Sequence, residues 1–163
     1  TRVKRKVSVH IPAGVDSGMR LRMEGYGEAG DYGAQNGDLF IEMYVLPHKN
    51  FERTGDNLET TVEITPALAV LGTTVEIETI DKRHLDLKIP AGIQYNTALR
   101  IAGEGVKRRG KPGDLLVRVK IVTPKGVPGE QKELYQKIAD LEGHGNKSGG
   151  IFSGIMGKKK GKK

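Results

Sequence analysis

Alternating apolar and polar residues predict short β-strands along the first third of the chain. The alternation occurs in residues 7–11, 19–23 and 39–46, and in the last of these it places Ile41 and Met43 on one face. A side-chain period of two is typical of a strand with one buried face. We therefore expect three strands here, with a glycine-rich loop between the second and the third.

The same pattern returns later because the chain contains an internal repeat. The sequence IPAG at residues 11–14 recurs at residues 89–92, and GDL at 37–39 recurs at 113–115. Across residues 11–27, eight of 17 positions are identical at an offset of 78. A repeat of this length indicates two copies of one structural module.

The repeat predicts a mainly β fold of two tandem β-sandwich-like modules with short helices. We place module one at residues 1–48 and module two at residues 49–127. Module two opens with predicted strands at 58–64 and 75–80 and a short helix at 67–71, which a Thr-Pro cap precedes and a glycine ends. The same opening of module one would precede residue 1, so we expect module one to be N-terminally truncated and the chain to be a fragment.

The C-terminal region predicts a helical dimerisation segment. A terminal helix at 128–142 carries one apolar stripe, formed by Leu134, Ile138 and Leu141. Residues 143–163 contain a glycine-rich linker, an apolar patch and a lysine-rich tail. The patch consists of Ile151, Phe152, Ile155 and Met156. It either docks on another surface or stays disordered, and we expect stripe and patch together to form a homodimer.

The net charge of +7 belongs to the two ends of the chain. Nine of the 27 Lys and Arg residues lie in residues 1–6 and 158–163, so residues 7–156 carry 18 basic against 20 acidic groups. A nucleic-acid-binding body needs a basic face that neutralises several phosphates. Nucleic-acid binding through the basic termini is therefore the alternative function and not the first one.

The residues that could carry chemistry do not form a recognisable catalytic or metal site. The chain has no Cys, and its four His do not pair at metal-ligand spacing. Residues 25–30 match GxGxxG, but a cofactor loop needs a helix after it, and here more glycine and a strand follow. We expect a hairpin-like loop and no enzyme, with a nucleotide-dependent enzyme as a distant third class.

The order and spacing of these motifs resemble the C-terminal part of the DnaJ co-chaperone family. The resemblance covers about residues 3–141 and includes IPAGVDSGMRLRMEGYGEAG, NGDLFIEMYVLPHKNFERTGDNL, EITPALAVLGTTVEIETID and GKPGDLLVRVKIVTPKG. It implies a cytoplasmic chaperone of the heat-shock and stress response with two β-rich modules and a dimerising end. It also implies binding of unfolded or non-native polypeptides and their delivery to a DnaK-type ATPase chaperone, with no nucleic acid and no membrane as partners.

Two family signatures are missing from this sequence. The His-Pro-Asp triplet of the J-domain does not occur, and without Cys there are no CxxCxGxG repeats. The resemblance therefore implies a piece that begins just after the zinc module. We expect no cofactor in this fragment, zinc in the upstream module of the full-length protein, and no stimulation of the partner ATPase.

The resemblance places the groove for client peptides in module one. The matching positions are Val7 and Ile41, with Val9 and Met43 as neighbours on the same faces. A protein that recognises unfolded chains needs exposed apolar pockets beside a free strand edge, and a Met side chain adapts to varied partners. The alternative is that all four are ordinary core residues.

Overall fold

A computed structural model describes residues 6–143 and confirms the mainly β fold. The strands and helices, numbered along the chain, are β1 Arg20–Met23, β2 Leu39–Glu42, β3 Glu52–Thr54, β4 Asn57–Ile64, α1 Pro66–Leu71, β5 Thr73–Glu78, β6 His84–Ile89, β7 Ala98–Ile101, β8 Leu115–Ile121 and α2 Gly129–Leu141. One 3₁₀ turn, Asp31–Gly33, lies in the loop between β1 and β2.

The chain divides into two compact units, with the boundary between Val122 and Thr123. All eight strands of the described part belong to the first unit, and the second contains α2. Neither described helix is long and apolar enough to cross a membrane. The predicted terminal helix is confirmed, and α2 begins one residue after Pro128.

Module two is built around a four-stranded sheet in the order β3-β4-β8-β7. The β4 and β8 strands run parallel, while β3 and β7 join their neighbours in antiparallel fashion. The β5–β6 hairpin forms a separate two-stranded sheet, and its side chains pack on those of β4 and β8 in two clusters. The buried members are Phe51, Leu58, Ile77, Leu115 and Val117 in one cluster and Ile64, Ala69, Ile89, Ile93 and Val119 in the other. Hairpin and sheet thus enclose one core between them, as expected for a sandwich-like module.

The short helix α1 forms where its capping residues predict it. The Thr65 hydroxyl accepts a hydrogen bond from the N–H of Leu68 at 3.4 Å, and Pro66 occupies the first turn. Gly72 ends the helix with a φ of 79°, a left-handed conformation that glycine adopts without strain. Local sequence therefore determines both ends of α1.

The internal repeat reappears as a repeated strand pair. In module one, β1 pairs with β2 in a register that sets Met23 opposite Leu39. In module two, β7 pairs with β8 in a register that sets Ile101 opposite Leu115. These are equivalent positions of the two copies, so the repeat specifies strand register as well as strand identity.

A half-buried carboxylate, at the start of β8, closes the loop between the two repeated strands of module two. Asp114 accepts hydrogen bonds from the N–H of Gly103 at 2.9 Å and from the Arg100 guanidinium at 3.0 Å. The Gly103 amide and then the Arg100 side chain lower the pKa of Asp114 below its ordinary value, because both favour the ionised form.

Module one repeats this arrangement at the equivalent residues. Asp38 accepts from the N–H of Gly25 at 3.1 Å and from Arg22 at 2.7 Å, and these contacts lower its pKa in the same way. A Cβ on Gly27 would lie 2.6 Å from the Asp38 carbonyl oxygen, so this glycine allows the close approach that closes the loop. The loop joins two antiparallel strands, which confirms the expected hairpin-like connection.

The predicted strand at residues 7–11 is wrong in this structure. Val7 and Val9 are half-buried and Ser8 is exposed, so the alternation persists, but residues 6–11 form no strand. In module two the equivalent strand, β6, is held by β5. The described part of module one contains no strand in the place of β5, and a strand without a partner has no ladder to stabilise it.

The third predicted strand, at 39–46, is real but ends at Glu42. The backbone pairing continues only to Met43, whose N–H donates to the Met19 carbonyl oxygen at 2.8 Å. A turn at Asp16 precedes the partner strand, and the Val45 N–H donates instead to the Ser17 hydroxyl at 2.8 Å. The strand stops because its partner turns away.

The Asp114 contacts predict a pH-dependent contribution to stability. We expect Asp114→Asn to lower the melting temperature at pH 7, because Asn cannot accept from Arg100 as a carboxylate does. A carboxylate with a lowered pKa stabilises the fold above its unfolded value of 3.8, and this stabilisation is lost as the pH falls through the folded value. Thermal melts by circular dichroism at pH 7 and pH 2.5 should therefore show a gap from the unsubstituted chain that narrows in acid. Asp86→Asn, at an exposed position of β6, is the control, and an equal effect of both variants would contradict this account.

Candidate functional site

Two predicted groove positions lie on the same face of the β1–β2 sheet. Ile41 is half-buried and stands opposite Leu21 in the antiparallel register. Met43 lies just beyond the end of β2, and only 7% of its surface is exposed. Ile41 is therefore partly accessible, whereas Met43 occupies a core position, as the alternative interpretation holds for this residue.

The other two groove positions lie on the extended segment before the first turn. Val7 and Val9 are both half-buried, with exposed neighbours between and after them. In the described part of the chain, no backbone hydrogen bond joins residues 6–11 to another segment. The structure thus supplies an apolar row at Val7 and Val9 but does not pair it with β2, and the groove assignment stays a prediction.

The opposite face of β2 and the segment that follows the strand carry exposed apolar side chains that the sequence analysis did not select. Phe40 is 60% exposed, Tyr44 78% and Leu46 74%. Because β1 and β2 form a sheet of two strands, each also has one edge without a neighbouring strand in the described part. Exposed apolar groups beside an open edge are what a strand-like ligand would recognise. The sequence of residues 39–46 contained a signal for this surface. Because both faces of the alternation are apolar, the pattern alone did not show which face is exposed.

A cleft of about 1530 Å³ lies where module one meets module two. Its lining comes from the Gly14–Ser17 turn, the loop at 45–50, and parts of β3, β4 and β5. Phe51 and Ile77, both buried, belong to its apolar walls. The sequence did not predict this cleft, because its walls are brought together by pairing between distant segments.

Two arginines of module two hold one carboxylate of module one at the edge of the cleft. Asp16 forms an ion pair with Arg53 through one oxygen and with Arg108 through the other, the latter at 2.6 Å. Arg108 also lies 3.2 Å from the Asp56 carboxylate. We call Asp16, Arg53 and Arg108 the inter-module clamp.

The clamp also binds the backbone of the turn that contains Asp16. Arg53 donates to the Val15 carbonyl oxygen at 2.7 Å, and Arg108 donates to the Gly14 carbonyl oxygen at 3.2 Å. These contacts attach the turn after IPAG to module two and so shape the cleft. The sequence repeat contained a signal for this attachment. The second copy has Gln94 at the position equivalent to Asp16, so it cannot form the same ion pairs.

The dimerisation residues that the structure describes are exposed in the second unit. Leu134 is 54% exposed, Ile138 48% and Leu141 88%, and α2 has no buried residue. The apolar patch and the lysine tail lie outside the described residues, as do the basic residues 1–5. An exposed stripe is compatible with a partner surface but does not identify one.

The described residues do not include a candidate metal centre. Among residues 6–143, no group of three or more His, Asp or Glu side chains is placed to hold a metal ion. The glycine loop at 25–37 contains the 3₁₀ turn Asp31–Gly33 and then leads into β2, so the α-helix that follows a phosphate-binding loop does not follow this one.

Comparison with known proteins identifies the family. The family model described as DnaJ C terminal domain matches residues 1–124. This chain belongs to the DnaJ C-terminal domain family. It is 50% identical over 142 residues to the chaperone protein DnaJ of Chlamydia muridarum, which covers 85% of the chain and 36% of that relative. It is 44% identical over 146 residues to the DnaJ of Protochlamydia amoebophila, covering 88% of the chain and 38% of the relative.

Family membership confirms the resemblance found in the sequence. The chain spans little more than a third of the length of the DnaJ relatives that it matches, which agrees with the expected C-terminal fragment. The matched family is one of chaperones.

The inter-module clamp predicts a measurable coupling between Asp16 and Arg108. We expect the double-mutant cycle of Asp16→Ala and Arg108→Ala to give a coupling of about 0.5 kcal/mol in the free energy of unfolding, because both side chains are part-exposed. Urea melts of the four proteins measure it, and the coupling should shrink at 1 M salt. Arg109→Ala, next in sequence and exposed, is the control. Strictly additive effects would show that the clamp does not form in solution.

Proposed function

We propose that this chain is the part of a co-chaperone that binds unfolded or non-native polypeptide, and that module one provides the primary site. The observation that carries the proposal is a half-buried apolar face next to an unpaired strand edge, in the β1–β2 sheet. Backbone hydrogen bonds along such an edge bind any extended chain, and apolar pockets select for hydrophobic side chains. Family membership supports a chaperone role.

Within this site, Ile41 and Val7 are the proposed contact residues, with Val9 and Met43 behind them. The partial burial of Ile41 and Val7 leaves apolar surface that a client side chain could cover. Met43 would contribute only if the site rearranges, because its side chain is buried in the unliganded state. Phe40 and Tyr44, exposed on the opposite face, are a second set of apolar contacts available to a long client.

Client binding predicts a specific pattern of nuclear magnetic resonance shifts. Peptides rich in Leu and aromatic residues should perturb signals of Val7 and Ile41 more than those of Leu85 or Val117, since Val117 is fully buried in module two. We expect a dissociation constant in the tens of micromolar, on the order of −6 kcal/mol. Equal shifts of all four signals, or no shifts, would contradict the assignment of the client site to module one.

Delivery of clients to a DnaK-type ATPase chaperone is proposed for the whole protein. This chain has no His-Pro-Asp triplet and no Cys. We therefore propose that this chain neither stimulates the ATPase nor binds zinc. For this chain we propose a binding role and no catalysis.

Homodimerisation through the C-terminal segment is the second part of the proposal. The stripe on α2 is exposed, and burying a large apolar side chain contributes roughly 1.5–3 kcal/mol before ordering costs. A dimer would present two client sites on one particle and raise avidity for long unfolded chains.

Solution mass by light scattering tests the dimer. We expect the intact chain to dimerise at micromolar concentration and a variant lacking residues 143–163 to dimerise more weakly, because the apolar patch is lost. Leu134→Ser in the intact chain should weaken the dimer as well, whereas Gln131→Ser, at an exposed position of the same helix, is the control. A monomer at high micromolar concentration would exclude dimerisation. A dimer that the truncation does not weaken would show that residues 143–163 take no part in it.

A further inference from the structure

The loop between β1 and β2 contains an asparagine whose neighbour makes it chemically reactive. Asn36 precedes Gly37, and both residues are exposed in the irregular segment between the 3₁₀ turn and β2. The side chain of an Asn can react with the backbone nitrogen of the next residue, and a glycine there has no Cβ to obstruct the approach. Of the five Asn residues in the sequence, Asn36 is the one that glycine follows. The others, Asn50, Asn57, Asn96 and Asn146, precede Phe, Leu, Thr and Lys.

The reaction closes a succinimide ring and releases ammonia. The Gly37 nitrogen bonds to Cγ of Asn36, the Cγ–Nδ2 bond breaks, and Nδ2 leaves as ammonia with the proton of the Gly37 amide. Water then opens the ring at either of its carbonyl carbons. Attack at Cγ gives Asp, whereas attack at the backbone carbonyl carbon gives isoaspartate, in which the chain runs through Cβ and Cγ. Both products carry a carboxylate where Asn36 carried a neutral amide.

Hydrogen bonds across the loop hold both reacting residues in place. The Gly37 N–H donates to the Glu28 carbonyl oxygen at 2.9 Å, and the Gly37 carbonyl oxygen accepts from the Gly27 N–H at 2.7 Å. Nδ2 of Asn36 donates to the Gly25 carbonyl oxygen at 3.3 Å. Because these contacts lie in a largely exposed loop and not in a core, local opening costs much less than unfolding. The Gly37 amide must lose its proton to react, so we expect the reaction to proceed from the open loop.

Either product would weaken the closure of this loop. Nδ2 of Asn36 is the donor to the Gly25 carbonyl oxygen, and a carboxylate in its place can only accept, so that hydrogen bond is lost. The Asp38 carboxylate already binds the Gly25 N–H at 3.1 Å, so two like charges would lie beside the same glycine. Isoaspartate also inserts an extra backbone atom before Gly37 and thereby displaces the Gly37 bonds to Glu28 and Gly27.

The second copy of the repeat closes its loop in the same way but lacks the reactive residue. The Gly105 N–H donates to the Gly113 carbonyl oxygen at 2.9 Å, which is the equivalent of the bond between Gly27 and Gly37. Pro112 stands at the position of Asn36 and has no side-chain amide. Module two therefore provides an internal control for module one.

We propose that Asn36 is a site of spontaneous deamidation, which proceeds from the open loop of module one and hinders closure of that loop afterwards. The modification needs no enzyme. The loop leads into β2 at Leu39, so the change occurs beside the strand that carries Ile41. The proposal does not depend on client binding.

Peptide mapping tests the site after the intact 163-residue chain has been incubated at pH 8. Trypsin cleaves after Lys and Arg and releases residues 23–49, in which Asn36 is the single Asn. We expect this peptide to gain the mass of one deamidation and to separate by chromatography into Asp and isoaspartate forms. Residues 50–53, 54–82 and 89–100 each contain one Asn, and we expect them to convert roughly fivefold more slowly or slower still. Equal rates in the four peptides, or no conversion of residues 23–49, would overturn the proposal.

A glycine substitution tests the chemistry without disturbing the loop. A Cβ on Gly37 would lie 3.7 Å from the Glu28 carbonyl oxygen, an ordinary contact, and the φ of Gly37 is not in the left-handed region. We expect Gly37→Ala to slow the conversion of Asn36 roughly fivefold or more, because the Cβ obstructs the attack. Gln35→Ala, exposed on the other side of Asn36, is the matched control and should leave the rate unchanged. An unchanged rate in Gly37→Ala would contradict the succinimide route.

A second substitution tests whether the open loop is the reactive form. Asp38→Ala removes the acceptor for the Gly25 N–H and for Arg22, so the loop should open more often and Asn36 should convert faster. The amide signal of Met43 checks that module one still folds. A slower or unchanged rate in the folded variant would exclude opening as the controlling step.

The consequence for the loop is tested in the unsubstituted chain, so it does not depend on any variant folding. Amide signals are followed by nuclear magnetic resonance during the incubation. We expect the signals of the first loop to shift as Asn36 converts and those of the second loop to stay unchanged. The signals to follow are Gly25, Gly27 and Gly37 in the first loop and Gly103, Gly105 and Gly113 in the second. Conversion without shifts in the first loop would show that deamidation leaves its closure intact, contrary to the proposal.

Discussion

The complete burial of β8 is the constraint on which the rest of this structure depends. Leu115, Val117 and Val119 have no exposed surface, and the strand that carries them is paired on both sides. Such burial requires the β5–β6 hairpin to cover the sheet, because otherwise the three side chains would face water. Transfer of side chains of this size from water contributes roughly 1.5–3 kcal/mol each, which makes module two the stable part of the first unit.

Module one depends on module two for its position. Of the buried apolar residues in the described part, Met43 alone belongs to module one, and a two-stranded sheet has little stability by itself. Its attachment is polar, through the inter-module clamp of Asp16, Arg53 and Arg108. Module one therefore has apolar surface that it does not bury itself. The proposed client site requires such a surface.

A strand edge left without a neighbouring strand occurs twice in the described part of the first unit. In β1–β2 the sheet has only two strands, and in β4 the covering strand β3 is too short. Open edges favour aggregation, and natural proteins usually cover or charge them.

The sequence by itself determined the features that depend on near neighbours. The strands of module two other than β3 follow from alternation, α1 follows from Thr65 and Gly72, and the loop closures at Asp38 and Asp114 lie within the repeated motifs. It also carried enough repeated motif to identify the family.

Only the tertiary structure decided which strands find partners. Residues 7–11 have the pattern of a strand yet form none, and Met43, which the family resemblance placed beside the groove, is buried. The clamp joins Asp16 to arginines that lie 37 and 92 positions away, and the part of β4 after Glu59 lacks a strand on one side because β3 begins only at Glu52. Side-chain periodicity reports which face of a segment is apolar. It does not report whether a second segment reaches that face or edge, because that contact is set by chain folding over long sequence separations.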